Sequence, residues 1–447
     1  MISKKLIITL IFLLALTSCS KESTVEPNED ISNSKFIVFS DADYPSIPNN
    51  DIPSSDQRFV GGANANDSNN GLENSPWATF DKALQELSAS STWYCLNLAS
   101  DLTVESFIDT KFYGSGPGTS SQFAIIRSAP SLSTPATLTL NARVEIDGQQ
   151  NWLWYGFNMA GTEGINLGED TPTNHHTIRR VTGNMTGTGG DNHGFFQALN
   201  YNANYLGIFN CNFTGPGVDG VHGNTASVIV FGTTHLRIEN NVFTNAPRPF
   251  YFKHSNQSIK AAADVHIRYN YQPETSKGES CFIAGRAEDG TFEIVDNIFE
   301  STVEISNGGG GEQPEGHFIS HNTFLSDLNL MNGNDPVINA TLENNVIMGD
   351  LELLRYSSNI NTNTSNHELI TGNIYYQSNV YTLSDWQHNS VPSGQDVNSI
   401  AGTPQFLGGS PSTPEYYKLD INSLGKWQAS DGEDIGARVD KVGNKNE

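Results

Sequence analysis

An asparagine flanked by apolar residues recurs nine times along the middle and later parts of the chain, at intervals of 23 to 29 residues. The copies read YGFNMAG, RVTGNMTG, IFNCNFTG, IENNVFTN, IRYNYQPE, IVDNIFES, ISHNTFLS, LENNVIMG and ITGNIYYQ. Their asparagines are Asn158, Asn184, Asn212, Asn241, Asn270, Asn297, Asn322, Asn345 and Asn373. A repeat of this length is typical of a solenoid, in which each period forms one coil of a stack.

Each period contains short alternating strands, as in HLRIENNVF and TFEIVDNIF, joined by turns rich in Gly, Asn and Thr. Such a period leaves no room for an amphipathic helix, and leucines do not recur at the fixed offsets of a leucine-rich repeat. The pattern therefore predicts an all-β fold, a parallel β-helix. The period places each repeated asparagine above the previous one, where side-chain amides can form a ladder at a tight bend. We expect these asparagines to be structural.

The two ends of the predicted solenoid support the same architecture. Ser75 and Pro76 precede the segment ATFDKALQEL, so Ser75 is the expected N-cap of a helix with proline at its first position. Phe80, Ala83 and Leu87 follow helical spacing, and we expect this helix to cover the open end of the stack. The segments GGANANDSNNGLENSPWATFDKAL and EYYKLDINSLG resemble the ends of bacterial right-handed β-helix proteins. The resemblance implies a single-stranded right-handed parallel β-helix with an N-terminal capping helix.

The first residues predict export. Lys4 and Lys5 precede an apolar stretch, residues 6–16, that is too short to cross a bilayer permanently. The sequence LTSC, which ends at Cys19, resembles a bacterial lipobox and implies cleavage before Cys19 and its lipidation; an ordinary secretory signal is the alternative. We predict a lipoprotein signal peptide at residues 1–18, a flexible lipid-anchored tether at 19–35 and the β-helix at 36–447. The expected location is the outer membrane, on the cell surface or the periplasmic side.

Charge and cysteine content limit the partners. The chain has 49 acidic residues against 24 lysines and arginines, a net charge of −25, which argues against nucleic acid as a partner. We expect membrane contact only through the lipid anchor, and a monomer. Basic residues cluster between positions 175 and 290, so an acidic polysaccharide would bind there. Cys95, Cys211 and Cys281 fit no zinc pattern; buried thiols are expected, and one disulfide stays open.

The strand ends of successive coils align a row of polar and basic residues. They lie in the segments DGVHGN, PFYFKHSN, IAGRAED and ISNGGGG. The aligned residues are His222, Asn224, Lys253, His254, Arg286 and Asn307. Arg248 lies in the insertion NAPRP beside this row, and His193 lies one coil earlier. Because neighbouring strands are about 4.8 Å apart, such residues can contact one sugar unit.

A row of Lys, His and Arg on rigid strands is suited to an acidic polysaccharide. β-Elimination from a uronic acid requires neutralisation of the C6 carboxylate, a base for the C5 proton and an acid for the leaving oxygen. A lysine can act as the base where nearby positive charge lowers its pKa. The predicted catalytic residues are Lys253, Arg286 and His254. The predicted substrate-binding residues are His222, Asn224, Arg248, His193 and Asn307. For Lys253, the alternative is a solvated strand end.

This constellation resembles polysaccharide lyase family six, which contains alginate lyases and chondroitinase B. In that family a lysine in a K-S-x-x-N context is the base, and an arginine on the following coil is the acid; here Lys253 in KHSN and Arg286 in IAGRAED match. His254 replaces the usual serine, Ala287 and Glu288 follow the arginine in place of histidine and glycine, and the family's calcium-binding glutamates have no clear match. The resemblance implies a lyase acting on alginate or a related polysaccharide. No cofactor is required by these residues, and calcium stays open.

Two other functions stay open. A glycoside hydrolase on the same fold would need two carboxylates that face one cleft. A non-catalytic glycan-binding protein of the cell surface would need only the basic row.

Overall fold

The computed structural model describes residues 44–45, 51–186, 193–199, 203–215, 225–246, 248–253, 262–273, 281–286, 292–306, 316–332, 335–336, 339–354, 364–376, 379–389 and 395–445. The chain divides into the units Met1–Val38 and Phe39–Glu447, and every described residue belongs to the second. That unit is a parallel β-helix, and the predicted all-β solenoid is therefore confirmed. No helix among these residues is long and apolar enough to span a bilayer.

Each coil contributes strands to three parallel sheets, which the chain visits in the order sheet 1, sheet 2, sheet 3. Sheet 1 contains Gln57–Val60, Cys95–Leu98, Ala124–Ser128, Gln150–Tyr155, Thr173–Arg179, Ala203–Phe209, Thr234–Glu239, Ala262–Arg268, Phe292–Val295, His317–Ser320, Thr341–Glu343 and Thr364–Asn366. Sheet 2 contains Leu102–Val104, Thr137–Leu140, Asn158–Gly161, Thr182–Met185, Asn212–Thr214 and Val242–Thr244, then Ile298–Phe299, Thr323–Phe324, Val346–Ile347, Leu369–Ile370 and Ile400–Ala401. Tyr271 bridges its two parts.

Sheet 3 completes the coil and carries most of the predicted site. Its strands are Ile108–Asp109, Val144–Ile146, Ile165–Leu167, Phe196–Ala198, Val228–Phe231, Phe250–Lys253, Cys281–Arg286, Val303–Ser306, Leu328–Asn329, Leu351–Leu354, Ile374–Tyr376 and an antiparallel strand, Asn379–Tyr381. The remaining elements are the hairpin Met331–Asn332 and Asp335–Pro336, the helices Phe80–Ala89 and Leu383–Asn389, and the 3-10 turns Ser54–Asp56, Thr110–Phe112 and Pro414–Tyr417.

The helix Phe80–Ala89 packs its apolar side into the core at the first coils, as a cap requires. Its N-cap is Thr79, whose side chain accepts a hydrogen bond from the Lys82 amide at 3.2 Å, and the expectation of Ser75 was wrong. The amides of Ala78 and Thr79 instead bond the Asp67 carboxylate at 2.8 and 2.9 Å. These bonds occupy two amide donors just before the helix. The helix therefore begins at Phe80 and not at Pro76.

A column of left-handed residues forms the bend between sheet 1 and sheet 2. On nine successive coils the residue after the sheet 1 strand has φ between 52° and 62°. These residues are Gly156, Arg180, Asn210, Asn240, Tyr269, Asp296, His321, Asn344 and His367. This backbone region costs energy for any residue with a Cβ, and it persists where surrounding bonds impose it. The Asn210 amide, for example, donates to the carbonyl of Glu239 on the next coil.

The asparagine directly after this bend forms a buried ladder. The Asn241 amide nitrogens, backbone and side chain, both donate to Oδ1 of Asn270, at 3.2 and 3.0 Å. Asn270, Asn297 and Asn322 repeat the arrangement, and their acceptors are Oδ1 of Asn297, Asn322 and Asn345 in turn. Each side-chain NH₂ also donates to a sheet 1 carbonyl of the preceding coil. The predicted structural ladder is therefore confirmed for these five asparagines.

The ladder differs from the prediction at both ends. Asn212 pairs with Val242 in sheet 2, so it lies one residue beyond the ladder position, which Cys211 occupies instead. Asn158 and Asn212 occupy equivalent positions, because both pair with Thr182 in sheet 2. Asn184 lies later in the same strand as Thr182. The assignment of Asn158 and Asn184 to the ladder was therefore wrong as well. At the other end Glu368 takes the ladder position, and its two oxygens accept from Asn345 at 2.9 and 3.2 Å. The backbone amide of Asn373 donates instead to Oδ1 of Asp350.

Inward side chains of the three sheets form one continuous core. Cys95, Cys211 and Cys281 are buried and unbonded to one another, as expected, and burial raises the pKa of the Cys95 thiol to about 11. His317 also points inward and lies in ring contact with Phe292 at 4.4 Å. Neither ring nitrogen of His317 has a hydrogen-bond partner among the described residues. Burial lowers the pKa of His317 from 6.5 to about 3, so the ring is neutral in the folded protein at physiological pH.

We predict that Asn297→Ala lowers the free energy of unfolding by about 3 kcal/mol or more, since it removes the acceptor of both amide nitrogens of Asn270 and the donor to the carbonyl of Ile267. Asn212→Ala is the matched control because Asn212 is half-buried and lies outside the ladder. It should cost less than about 1 kcal/mol. Equal losses in urea unfolding of the two variants would refute the ladder register.

Acid should destabilise the protein partly through His317. The folded-state pKa of about 3 lies below the unfolded value of 6.5, so the unfolded chain binds the extra proton between these values. Stability is therefore lost as pH falls from about 6.5, by up to about 1.4 kcal/mol per pH unit for this residue. His317→Leu should flatten the dependence of unfolding free energy on pH between 6.5 and 4.5. Parallel curves for variant and parent would contradict this assignment.

Candidate functional site

Three neighbouring sheet 3 strands, Val228–Phe231, Phe250–Lys253 and Cys281–Arg286, form the centre of the predicted site. Phe250 and Phe252 point into the core and are fully buried, as the alternation predicts. They fix the middle strand on its neighbours, with Phe252 paired to Val230 on one side and Ile283 on the other. The strand end that carries Lys253 is therefore held by a packed core rather than by a loop.

The backbone positions of Lys253 and Arg286 can be compared directly. Lys253 pairs with Phe231 of the preceding coil and follows the Phe252–Ile283 pair by one residue. Arg286 follows that pair by three residues, and its backbone pairs with Ala263 of sheet 1. The two predicted catalytic residues thus close their strands on successive coils, at positions offset by two residues. Their strands meet where sheet 3 joins sheet 1.

Arg248 and His193 lie at the opposite end of the sheet 3 strands from Lys253 and Arg286, just before their strands begin. The amide of Ala226 donates to the carbonyl of His193 at 3.0 Å, and that of Ser227 donates to the carbonyl of Arg248 at 3.1 Å. His193 and Arg248, both predicted to bind substrate, therefore belong to the coils before and after the coil that contains Ala226 and Ser227. His193 is half-buried, and its Nδ1 is 3.3 Å from the carbonyl oxygen of Thr162.

Arg248 is combined with an aromatic ring. Its guanidinium carbon lies 5.0 Å from the centroid of the Tyr251 ring, a cation–π contact. Tyr251 faces outward from sheet 3 and packs against an apolar patch formed by Leu199, Ala226, Ile229 and Phe231. An arginine beside a half-buried tyrosine ring offers a cation for a carboxylate and an apolar surface for a sugar face.

The remaining predicted site residues, His222, Asn224, His254 and Asn307, lie outside the described residues, as does Cys19.

The basic cluster between positions 175 and 290 is divided between two faces of the solenoid. Arg237 and Arg268 lie on sheet 1, where Arg237 Nε is 3.0 Å from Glu239 and Arg268 pairs with Glu293. His266 Nδ1 lies 2.9 Å from the same Glu293. Although burial opposes ionisation, Arg237 holds the pKa of Glu239 below the ordinary value, and the hydrogen bond with His266 together with the charge of Arg268 does the same for Glu293. These cations are satisfied within the fold and do not join the sheet 3 row.

The side chain of Arg179 also makes its contacts on sheet 1 and not on sheet 3. Its guanidinium carbon lies 4.3 Å from the centroid of Phe209, and its Nε donates to the carbonyl of Pro45 at 2.8 Å. The neighbouring Tyr44 is buried, and its hydroxyl donates to the carbonyl of His235 at 2.7 Å. Tyr44 and Pro45 thus fasten the start of the described chain to the outer face of sheet 1.

An acidic region on the first strands of sheet 3 was missed by the sequence reasoning. Asp109 pairs with Glu145, which pairs with Asn166 on the next coil. Burial raises the pKa of Glu145 to about 6, against the opposing effect of Arg143, whose Nη2 is 2.9 Å away. The first two of these coils precede the first repeated asparagine, Asn158. The alternation of apolar and polar residues in VEID and INL could have predicted these strands and their outward acidic residues.

Comparisons with known proteins give the following findings. No protein-family model matches the chain. No curated protein matches it either. Among solved structures, a rhamnogalacturonan lyase is similar to 85% of this chain and 99% of its own, with 12% sequence identity and a TM-score of 0.43.

Proposed function

We propose that this protein is a polysaccharide lyase that cleaves a uronic-acid-containing polysaccharide, such as alginate, by β-elimination. The observation that carries the proposal is the stacking of Phe250–Lys253 on Cys281–Arg286, which places a lysine and an arginine at the ends of adjacent strands. Phe231, which pairs with Lys253, belongs to a buried apolar patch. A lysine that acts as a base near neutral pH needs a lowered pKa, which apolar surroundings or nearby positive charge provide.

In the proposed reaction the neutral amine of Lys253 removes the C5 proton of a uronic acid. The electrons of the C5–H bond form the C4–C5 double bond, and the C4–O glycosidic bond breaks. The departing oxygen receives a proton through Arg286, the role that the resemblance implies for this position. His254, adjacent in the chain, would supply positive charge that keeps Lys253 deprotonated. The products are a new reducing chain and an unsaturated uronate end.

Arg248 would bind a different sugar of the same chain. It is five residues before Lys253, a separation of roughly 15 Å along an extended strand, which is too far for both to act on one sugar ring. We propose that its guanidinium pairs with the carboxylate of a neighbouring uronate, with Tyr251 against the sugar face. His193 and the residues His222, Asn224 and Asn307 are proposed to bind further along the substrate.

The purified protein should release products with ultraviolet absorbance at an unsaturated end when incubated with alginate or glycosaminoglycans. Lys253→Ala should lower kcat by roughly 10²–10⁴-fold with little change in KM, since the base acts in the transition state. Lys418→Ala is the matched control because Lys418 is exposed on the C-terminal segment. Unchanged turnover in Lys253→Ala would remove this lysine from the mechanism.

The products also distinguish the competing functions. New reducing ends without ultraviolet absorbance would indicate hydrolysis, and Glu145, with its raised pKa, would then be the acid to substitute. Retention in a native gel that contains the glycan, with neither product, would indicate a binding protein.

Arg248→Gln should raise KM by about 10-fold or more while kcat changes little, because a charge-assisted hydrogen bond to bound substrate contributes about 1.5–3 kcal/mol. The measurement is initial rate against substrate concentration at low and high salt. A fall in kcat at constant KM would place Arg248 at the reacting sugar instead.

We also propose that the protein is an outer-membrane lipoprotein, with Cys19 as the lipidated residue. The support is the LTSC sequence and the short apolar stretch before it. Labelled palmitate should enter the wild-type protein in a bacterial host, and Cys19→Ala should abolish the label and release the protein from the membrane fraction.

A further inference from the structure

Three aspartates converge at the first strands of sheet 3. Asp109 ends the strand Ile108–Asp109, whereas Asp147 and Asp170 follow the strands Val144–Ile146 and Ile165–Leu167. One carboxylate oxygen of each lies within 4.8 Å of those of the other two. The register of the strands brings the three together, because Asp109 pairs with Glu145 and Leu167 pairs with Ile146.

Asp147 is the central and most constrained member. It is fully buried, and its Oδ1 accepts the backbone amides of Asp170 and Thr171 at 3.0 and 3.1 Å. Its Oδ2 is also buried and has no hydrogen-bond donor among the described residues. A buried carboxylate oxygen without a donor or counter-ion is costly, so this atom requires a partner.

Lys111 neutralises the cluster only in part. Its Nζ lies 2.5 Å from Asp170 and 3.0 Å from Asp109, and it bonds neither oxygen of Asp147 in the described contacts. With all three aspartates ionised, three negative charges and one positive charge leave a net charge of −2. A single divalent cation would balance that charge.

We propose that Asp109, Asp147 and Asp170 bind a calcium ion, with Asp147 Oδ2 as the buried ligand. Calcium binds carboxylate oxygens at about 2.3–2.6 Å, so two ligands on opposite sides of the ion are about 4.6–5.2 Å apart. The aspartate oxygens all lie within 4.8 Å of one another, which is compatible with ligands of one calcium ion. Magnesium usually takes one or two carboxylates and keeps several waters, whereas calcium accepts more carboxylate ligands. Three aspartates therefore favour calcium, with water completing its coordination.

The ion would connect the ends of three consecutive coils near the capping helix. Calcium should therefore raise the unfolding temperature as well as bind. The inference does not depend on the lyase proposal, because Lys253 and Arg286 belong to later coils and none of the three aspartates has a role in it.

The test is a titration of the EDTA-treated full chain with calcium chloride by calorimetry. A dissociation constant of about 10⁻⁴ M is expected, in the range of extracellular calcium modules, with magnesium at least 10-fold weaker. Asp170→Asn should weaken calcium binding at least 10-fold; its side chain is 55% exposed, so the fold should survive the change. Asp434→Asn is the matched control, since Asp434 contacts a lysine, Lys426, at 2.6 Å and lies in the C-terminal segment.

The variant Lys111→Met tests whether calcium or the Lys111 ammonium is the counter-ion of the aspartates. If calcium occupies the site beside Lys111, this variant should bind calcium at least as tightly as the parent, because every proposed ligand is retained. Binding seen only in Lys111→Met would show that the ammonium is the natural counter-ion and would overturn the proposal. Absence of binding by the parent protein, or equal weakening by Asp170→Asn and Asp434→Asn, would overturn it as well.

Discussion

The hydrogen bonds at the bend between sheet 1 and sheet 2 are the constraint on which the rest of the solenoid depends. The left-handed residue turns the chain, and the ladder asparagine after it bonds amides that the bend leaves unpaired. Each asparagine is completed only by the next coil, so no coil of the ladder satisfies its own buried polar groups alone. Stability is consequently shared between neighbours, as in other solenoids, and the strands that follow the bend are held in fixed register.

That register is what places the candidate site. Sheet 3 receives its strands from coils already aligned at the bend, and its buried phenylalanines lock the alignment. Lys253 and Arg286 therefore end strands on adjacent coils although 32 residues separate them in the chain. Rigid strands are a better support than loops for groups that must keep fixed relative positions.

The repeat was sufficient to predict the fold and the five central ladder asparagines. It misassigned Asn158 and Asn212 because both stand in a matching motif one residue beyond the ladder position, and spacing of 23 to 29 residues cannot resolve a shift of one. The left-handed position itself carries Gly, Asn, Asp, His, Arg and Tyr, so residue type alone does not mark it.

The site was predicted less well, for a physical reason. Periodicity tells which coil a residue belongs to, but not which of the three faces it occupies. Arg237 and Arg268 therefore appeared beside Lys253 in sequence, whereas the fold puts them on sheet 1 against glutamates. The acidic cluster around Asp147 was overlooked because the early coils contain no ladder asparagine, and their strand ends were never aligned.

The ladder also has a direction. Every asparagine donates towards the C-terminal coil, so the last one, Asn345, must face a group that only accepts, and Glu368 provides two oxygens there. An asparagine can be followed by another coil, but a carboxylate cannot pass the donation on. Glu368 therefore acts as a terminator: during evolution, duplication of a coil within the ladder would preserve every bond. Extension of the asparagine ladder beyond Glu368 would first require its replacement, so one side chain limits the ladder, whereas sheet 2 continues to Ile400–Ala401.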